Sequence, residues 1–103
     1  VGRDNDRVHA AAVRYELRVP ACRSLKAKRA ALRPLVEVLR HRYRVSVAEV
    51  DHHDAHQRAA IGVAVVSASH RHLRDVLERL SAVVDAAADL ELLEARTTWL
   101  DEP

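Results

Sequence analysis

Residues 13–19, Val-Arg-Tyr-Glu-Leu-Arg-Val, alternate without a fault between apolar and charged side chains. Successive side chains of a β-strand point to opposite faces. Val13, Tyr15, Leu17 and Val19 therefore share one face, and Arg14, Glu16 and Arg18 share the other. A strand of this kind belongs to a sheet with one buried face and one face in water. Whatever covers the buried face must come from elsewhere in the chain and lie on one side only.

Two helical segments meet that requirement. After Pro20 ends the strand, Ser24 stands as an N-cap for a helix reaching to about Tyr43, with Leu25, Leu32, Leu35, Val36 and Leu39 as its apolar stripe. Ala27 sits where the Glu or Gln of a capping box would be, and Pro34 lies mid-helix, where its missing N–H and its ring against the Ala30 carbonyl predict a kink. The second helix starts from Ser69 as N-cap and carries Leu73, Val76, Leu77, Leu80, Val83 and Val84 at helical period.

Three further strand-like runs complete the order. They are 44–50, 58–67 and 90–100; in the last, Leu92 and Leu93 compete for the inward phase. In 58–67, Ile61, Val63 and Val65 face one way, and Ala60, Gly62 and Ala64 face the other. The sequence β-α-β-β-α-β specifies an α+β, ferredoxin-like fold: a four-stranded antiparallel sheet with two helices on one face. Residues 8–101 are read as this single domain, and residues 1–7 as a loose or appended extension outside it. The 103 residues include no Phe and no Met, so the core is aliphatic, built from Ala, Val and Leu.

The single cysteine, Cys22, excludes an internal disulfide framework and fits a reducing cytoplasm. No apolar run approaches the ~20 residues that span a bilayer, so no membrane association is expected.

Three segments stand in a recognisable order: Arg23–Arg29 (RSLKAKR), Val45–Val50 (VSVAEV) followed by His53–Ala59 (HDAHQRA), and Gly62–Ser67 (GVAVVS). Together they resemble the YlxP family, small bacterial proteins of largely unassigned function. The resemblance runs over about residues 8–101 and implies the same ferredoxin-like fold. Members are commonly encoded among genes for transcription elongation, translation initiation and ribosome maturation, which implies a ribosome-associated role. The resemblance brings no established catalytic residues. The chain departs from the family pattern at Ala27, Pro34 and His56, the last where an aromatic residue often stands.

The densest chemistry is Asp51-His52-His53-Asp54-Ala55-His56. If 52–56 runs extended, His52, Asp54 and His56 share a side and are candidate metal ligands. Glu49 and Asp51 with these histidines are candidate acid–base partners. The plainer reading is a polar turn between two strands, since Asp caps turns and His tolerates unusual dihedrals. No nucleophile elbow or Gly-rich phosphate loop appears, and two glycines in the chain make a phosphate cradle untenable, so neither a cofactor nor enzymatic activity is expected. Cys22, beside Arg23 and just before a helix, reads as an incidental loop residue.

Charge is the strongest functional signal. From Arg18 to Arg44 the chain holds nine Lys and Arg residues and one acid, Glu37. From Asp75 onward acids outnumber bases, so a net charge of +2 conceals a basic end and an acidic end. Lys26, Arg29, Arg33 and Arg40 are expected along one exposed side of the first helix, with Arg23 and Lys28 at its entrance. Such a row suits a phosphate backbone and points to structured RNA or a ribosomal particle. The open sheet face lacks the aromatic pair that stacks single-stranded bases, and its small residues make it a candidate homodimer interface.

Overall fold

In the computed structural model, which describes residues 8–100, β1 (His9–Arg18) is followed by α1 (Leu25–Glu37), which runs on into a π-helical turn (Val38–Arg42). Then come β2 (Ser46–Asp51), β3 (Arg58–Ser67), α2 (His70–Asp85) and β4 (Glu91–Trp99). Among the described residues the four strands form one sheet in the order β2-β3-β1-β4, antiparallel at every pairing. This is the α+β, ferredoxin-like arrangement expected from the sequence. The expected extension at residues 1–7 lies outside the described residues.

The alternation in β1 does what its pattern demands. Val13, Tyr15 and Leu17 are buried beneath the helices with Ile61, Val63 and Val65 of β3. Leu32, Leu35 and Leu39 descend from the first helix and Leu73, Leu77, Leu80 and Val84 from α2. Each fully buried side chain of this size contributes about 1.5–3 kcal/mol of transfer free energy. Tyr15 is the one aromatic ring wholly inside, and its hydroxyl lies 3.2 Å from Ser81 Oγ, which satisfies it. Both N-caps act as expected: Ser24 Oγ accepts from Ala27 N at 3.0 Å, and Ser69 Oγ from His72 N at 3.1 Å.

Four local features depart from the sequence expectation, each for a physical reason. β1 begins at His9, because the Ala10–Ala12 run, too uniform to show alternation, pairs with Ala64–Val66. The helix passes through Pro34 in α-form, and the irregularity falls one turn later, in the π-helical Val38–Arg42. In β4 the register shifts so that Glu16 opposes Glu94 while Leu17 opposes Leu92. Leu93 is thus the extra residue of a β-bulge, and the competition between Leu92 and Leu93 is the bulge itself. A second bulge at Val50 lets Glu49 oppose Ile61 and Asp51 oppose Ala60. Val50 then folds across Gly62, where an added Cβ would lie 2.9 Å from its Cγ1. The small residue at 62 accommodates a neighbour from the same sheet.

Candidate functional site

Lys28 lies one turn before Leu32 and two before Leu35, in phase with the buried stripe of α1. Its side chain is 1% exposed. The ammonium donates to the carbonyl of His52 at 2.8 Å and to that of Arg58 at 3.2 Å, and it pairs with Glu49 Oε2 at 3.1 Å. Buried charge persists only when paired and hydrogen-bonded; here the ammonium has two carbonyl acceptors and the Glu49 carboxylate at ion-pair distance, although the Glu49 Oε2 facing it is buried without a hydrogen bond of its own. The expectation that Lys28 joins an exposed basic row is therefore corrected. Its position in the helical period, between Leu25 and Leu32, was the signal that places it inside.

The clamp fixes the turn after β2. His52 takes φ 62°, the left-handed region that non-glycine residues seldom occupy. Its carbonyl is held from below by Lys28 and also accepts from Ala55 N at 3.0 Å; its N–H donates to Asp51 Oδ1 at 2.7 Å. Its ring is thereby directed onto the open sheet face, where Nε2 sits 3.0 Å from Glu16 Oε2. Glu16 is the centre of that face. Arg14 donates to Oε1 from Nε at 3.0 Å and from Nη2 at 2.6 Å, and Arg58 Nη2 donates to Oε2 at 3.0 Å. Arg14 Nη2 also reaches Asp51 Oδ2 at 2.9 Å.

Partial burial disfavours ionisation of Glu16, yet the bonds from Arg14, Arg58 and His52 outweigh it and hold the carboxyl at about 2. Arg14, with the His52 N–H, likewise lowers Asp51. A carboxylate so strongly held is a poor proton carrier near neutrality, so the His52–Glu16 pair is an anchoring contact. Sequence reading placed the acid–base candidates at Glu49 and Asp51 and missed Glu16, which lies 36 residues from His52 and meets it through strand pairing alone. Its visible trace was its place on the wet phase of β1.

The histidine run is dispersed. His52 points to Glu16, and His53 Nε2 lies 3.1 Å from the Glu49 carbonyl. Asp54 and His56 line a shallow depression with Cys22, Arg23, Gln57 and Arg58. Among the described residues no group of three or more His, Cys, Asp or Glu side chains is placed to hold a metal ion. The run is the polar turn, tied down at both ends.

The other predicted bases remain outside. Arg23, Lys26, Arg29, Arg33 and Arg40 are all exposed. Arg29, Arg33 and Arg40 line one groove between the first helix and the edge of β2, with Glu37 and Glu49 at its borders. Glu37 is engaged by His41 Nε2 at 2.9 Å and Glu49 by Lys28, and among the described residues no carboxylate pairs with Arg23, Lys26, Arg29, Arg33 or Arg40. Arg40 leans over the β2 edge, donating to the Val47 carbonyl at 2.9 Å. Arg42 stacks on Tyr43 with its guanidinium carbon 5.8 Å from the ring centroid.

Residues 10–97 match the family described as "Protein of unknown function (DUF503)". The chain belongs to that family. It is similar to the "Uncharacterized protein YlxP" of Bacillus subtilis (strain 168), at 34% identity over 76 residues covering 74% of this chain and 83% of that protein. The resemblance read from the three sequence segments thus holds, and the YlxP family is the one to which it points. Among the described residues no helix is long and apolar enough to cross a membrane.

Proposed function

We propose that this YlxP-family chain is a non-enzymatic, cytoplasmic accessory protein that binds structured RNA, as presented by a ribosomal particle, through its basic first helix. The observation that carries the reading is the groove of Arg29, Arg33 and Arg40, extended by Lys26 and Arg23, with its nearby acids already engaged by His41 and Lys28. Guanidiniums without carboxylate partners on a rigid helix suit phosphate oxygens, and neutralising phosphates releases counterions. The sheet face does not suit base reading. It presents Arg14, Glu16, Arg58, Ala12, Ala64 and their neighbours, with no Phe, Tyr or Trp among the described residues to stack on. Recognition then rests on the shape and backbone of a folded RNA.

The test is binding of a structured ribosomal RNA fragment across a salt series, for the wild type and for Lys26→Glu/Arg29→Glu/Arg33→Glu with its fold checked by circular dichroism. The expected result is an affinity that falls steeply with salt, and a reversal variant that binds at least about a hundredfold more weakly with a shallower slope, each lost phosphate contact removing about one unit. Affinity indifferent to salt, or retained by the variant, refutes the proposal. Cofractionation with ribosomal particles, lost in the same variant, extends it to the assembly.

A further inference from the structure

Both edges of a four-stranded sheet expose backbone groups that the sheet leaves unpaired, and proteins commonly blunt such edges. Here the two edges differ. On β2 the carbonyls of Val47 and Glu49, two residues apart and so on the same side of the strand, are met by Arg40 Nη2 at 2.9 Å and His53 Nε2 at 3.1 Å, and the bulge at Val50 interrupts the strand. β4 has its own bulge at Leu93, but from Glu94 to Trp99 its register with β1 is unbroken; among the described residues no side chain bonds to the backbone of Glu91–Trp99, and the strand contains no proline.

Glu91 of β4 meets Arg18 of β1 at 3.5 Å, but the next two charges along the strand are mismatched inside the chain. Arg96 lies directly opposite Arg14, and Glu94 directly opposite Glu16. Like charges in register destabilise a strand pair. Arg14 and Glu16 are already occupied by each other and by Asp51, Arg58 and His52. Glu94 and Arg96 meet only along their own strand, at 3.3 Å, and stay 57% and 69% exposed.

We infer that β4 pairs with β4 of a second copy, antiparallel, about a two-fold axis at Ala95. That register places Glu94 of each copy opposite Arg96 of the other, so the two residues mispaired across β1 become complementary across the free edge. The sheet runs continuously through both copies with all helices on one side. A depression between α2 and β4, lined by Arg74, Leu77, Glu78, Thr97 and Trp99, lies beside this edge strand. The basic helix packs over the opposite half of the sheet and remains free in such a dimer, so this inference does not depend on RNA binding.

The experiment is analytical ultracentrifugation of the full chain over a concentration series, comparing wild type, Glu94→Arg, Arg96→Glu and the double exchange. Glu94→Arg sets a cation opposite Glu16, and Arg96→Glu an anion opposite Arg14, so each single change improves pairing within the chain and keeps the fold. Each also sets like charges across the seam twice. The wild type is expected to dimerise with rising concentration, each single variant to weaken the dimer on the order of tenfold or more, and the double exchange to restore it. A wild type that stays monomeric overturns the inference. So does a dimer untouched by either single variant, including one dissolved instead by Val66→Asp on the open sheet face.

Discussion

Lys28→Met tests the central structural claim, that a buried ammonium closes the junction between α1, β2 and β3. Methionine fits the stem but removes the donor, leaving the Glu49 carboxylate and the carbonyls of His52 and Arg58 without their shared partner. Removing one member of a buried ion pair costs about 3–5 kcal/mol. Glu49 is 26% exposed overall, but the Oε2 facing Lys28 is itself buried, so the expectation is a loss of at least about 3 kcal/mol. For a domain of this size that corresponds to a drop on the order of 10–20 °C in Tm. Urea unfolding followed by circular dichroism measures it directly. Much of the cost is the stranded charge, so Lys28→Met/Glu49→Gln should be no less stable than Lys28→Met alone, a clear departure from additivity. A single variant within about 0.5 kcal/mol of wild type, or strictly additive effects, refutes the clamp. The proposed RNA binding should be unchanged in Lys28→Met at a temperature where it stays folded, since its ammonium never faced solvent.

Three further perturbations read other parts of the structure. Glu16 has a folded-state pKa of about 2 against 4.5 for the free group, so its stabilisation is complete above pH 4.5 and is lost as pH falls toward 2. Glu16→Gln should flatten the acid limb of the stability–pH curve by about 1 kcal/mol after solvent screening; an unchanged limb contradicts the cluster. Gly62→Ala should cost about 1 kcal/mol by pressing on Val50, and Val50→Ala should rescue it; denaturant midpoints that simply add argue against that contact. Pro34→Ala restores a donor to the Ala30 carbonyl, and should raise stability by about 1–2 kcal/mol once the stiffer unfolded chain of the proline form is offset; a fall in Tm would show that the proline stabilises this helix.

The layout of the fold was legible because its signals are local. Strict alternation in Val13–Val19, the leucine phases of both helices and the two serine caps each act within a few residues, and each lies where its period placed it. What the sequence concealed came from pairing between distant segments. Nothing near Glu16 announces that His52 and Arg58 will converge on it, because strand register brings them there. The bulge at Val50 erases the period-two phase of β2, and with it any guess about which side Asp51 would take. The histidine run drew attention by composition, yet it is the backbone carbonyl of His52, invisible to composition, that Lys28 needs.

That convergence bears on what family likeness can say about function here. Segment 23–29 supplies Lys28, segment 45–50 supplies Glu49, and segment 53–59 supplies the Arg58 carbonyl, so three of the stretches that carry the YlxP resemblance meet at one buried ammonium. A likeness built on such a junction speaks first of the fold. Function has to be sought in the side chains of those segments that closure leaves over. In Arg23–Arg29 the division is sharp: Lys28 turns in, while Arg23, Lys26 and Arg29 turn out. One short peptide thus holds the domain together with one cation and offers three to solvent. A charge reversal meant to probe binding must therefore spare Lys28, because reversing it would unfold the junction and imitate a loss of affinity.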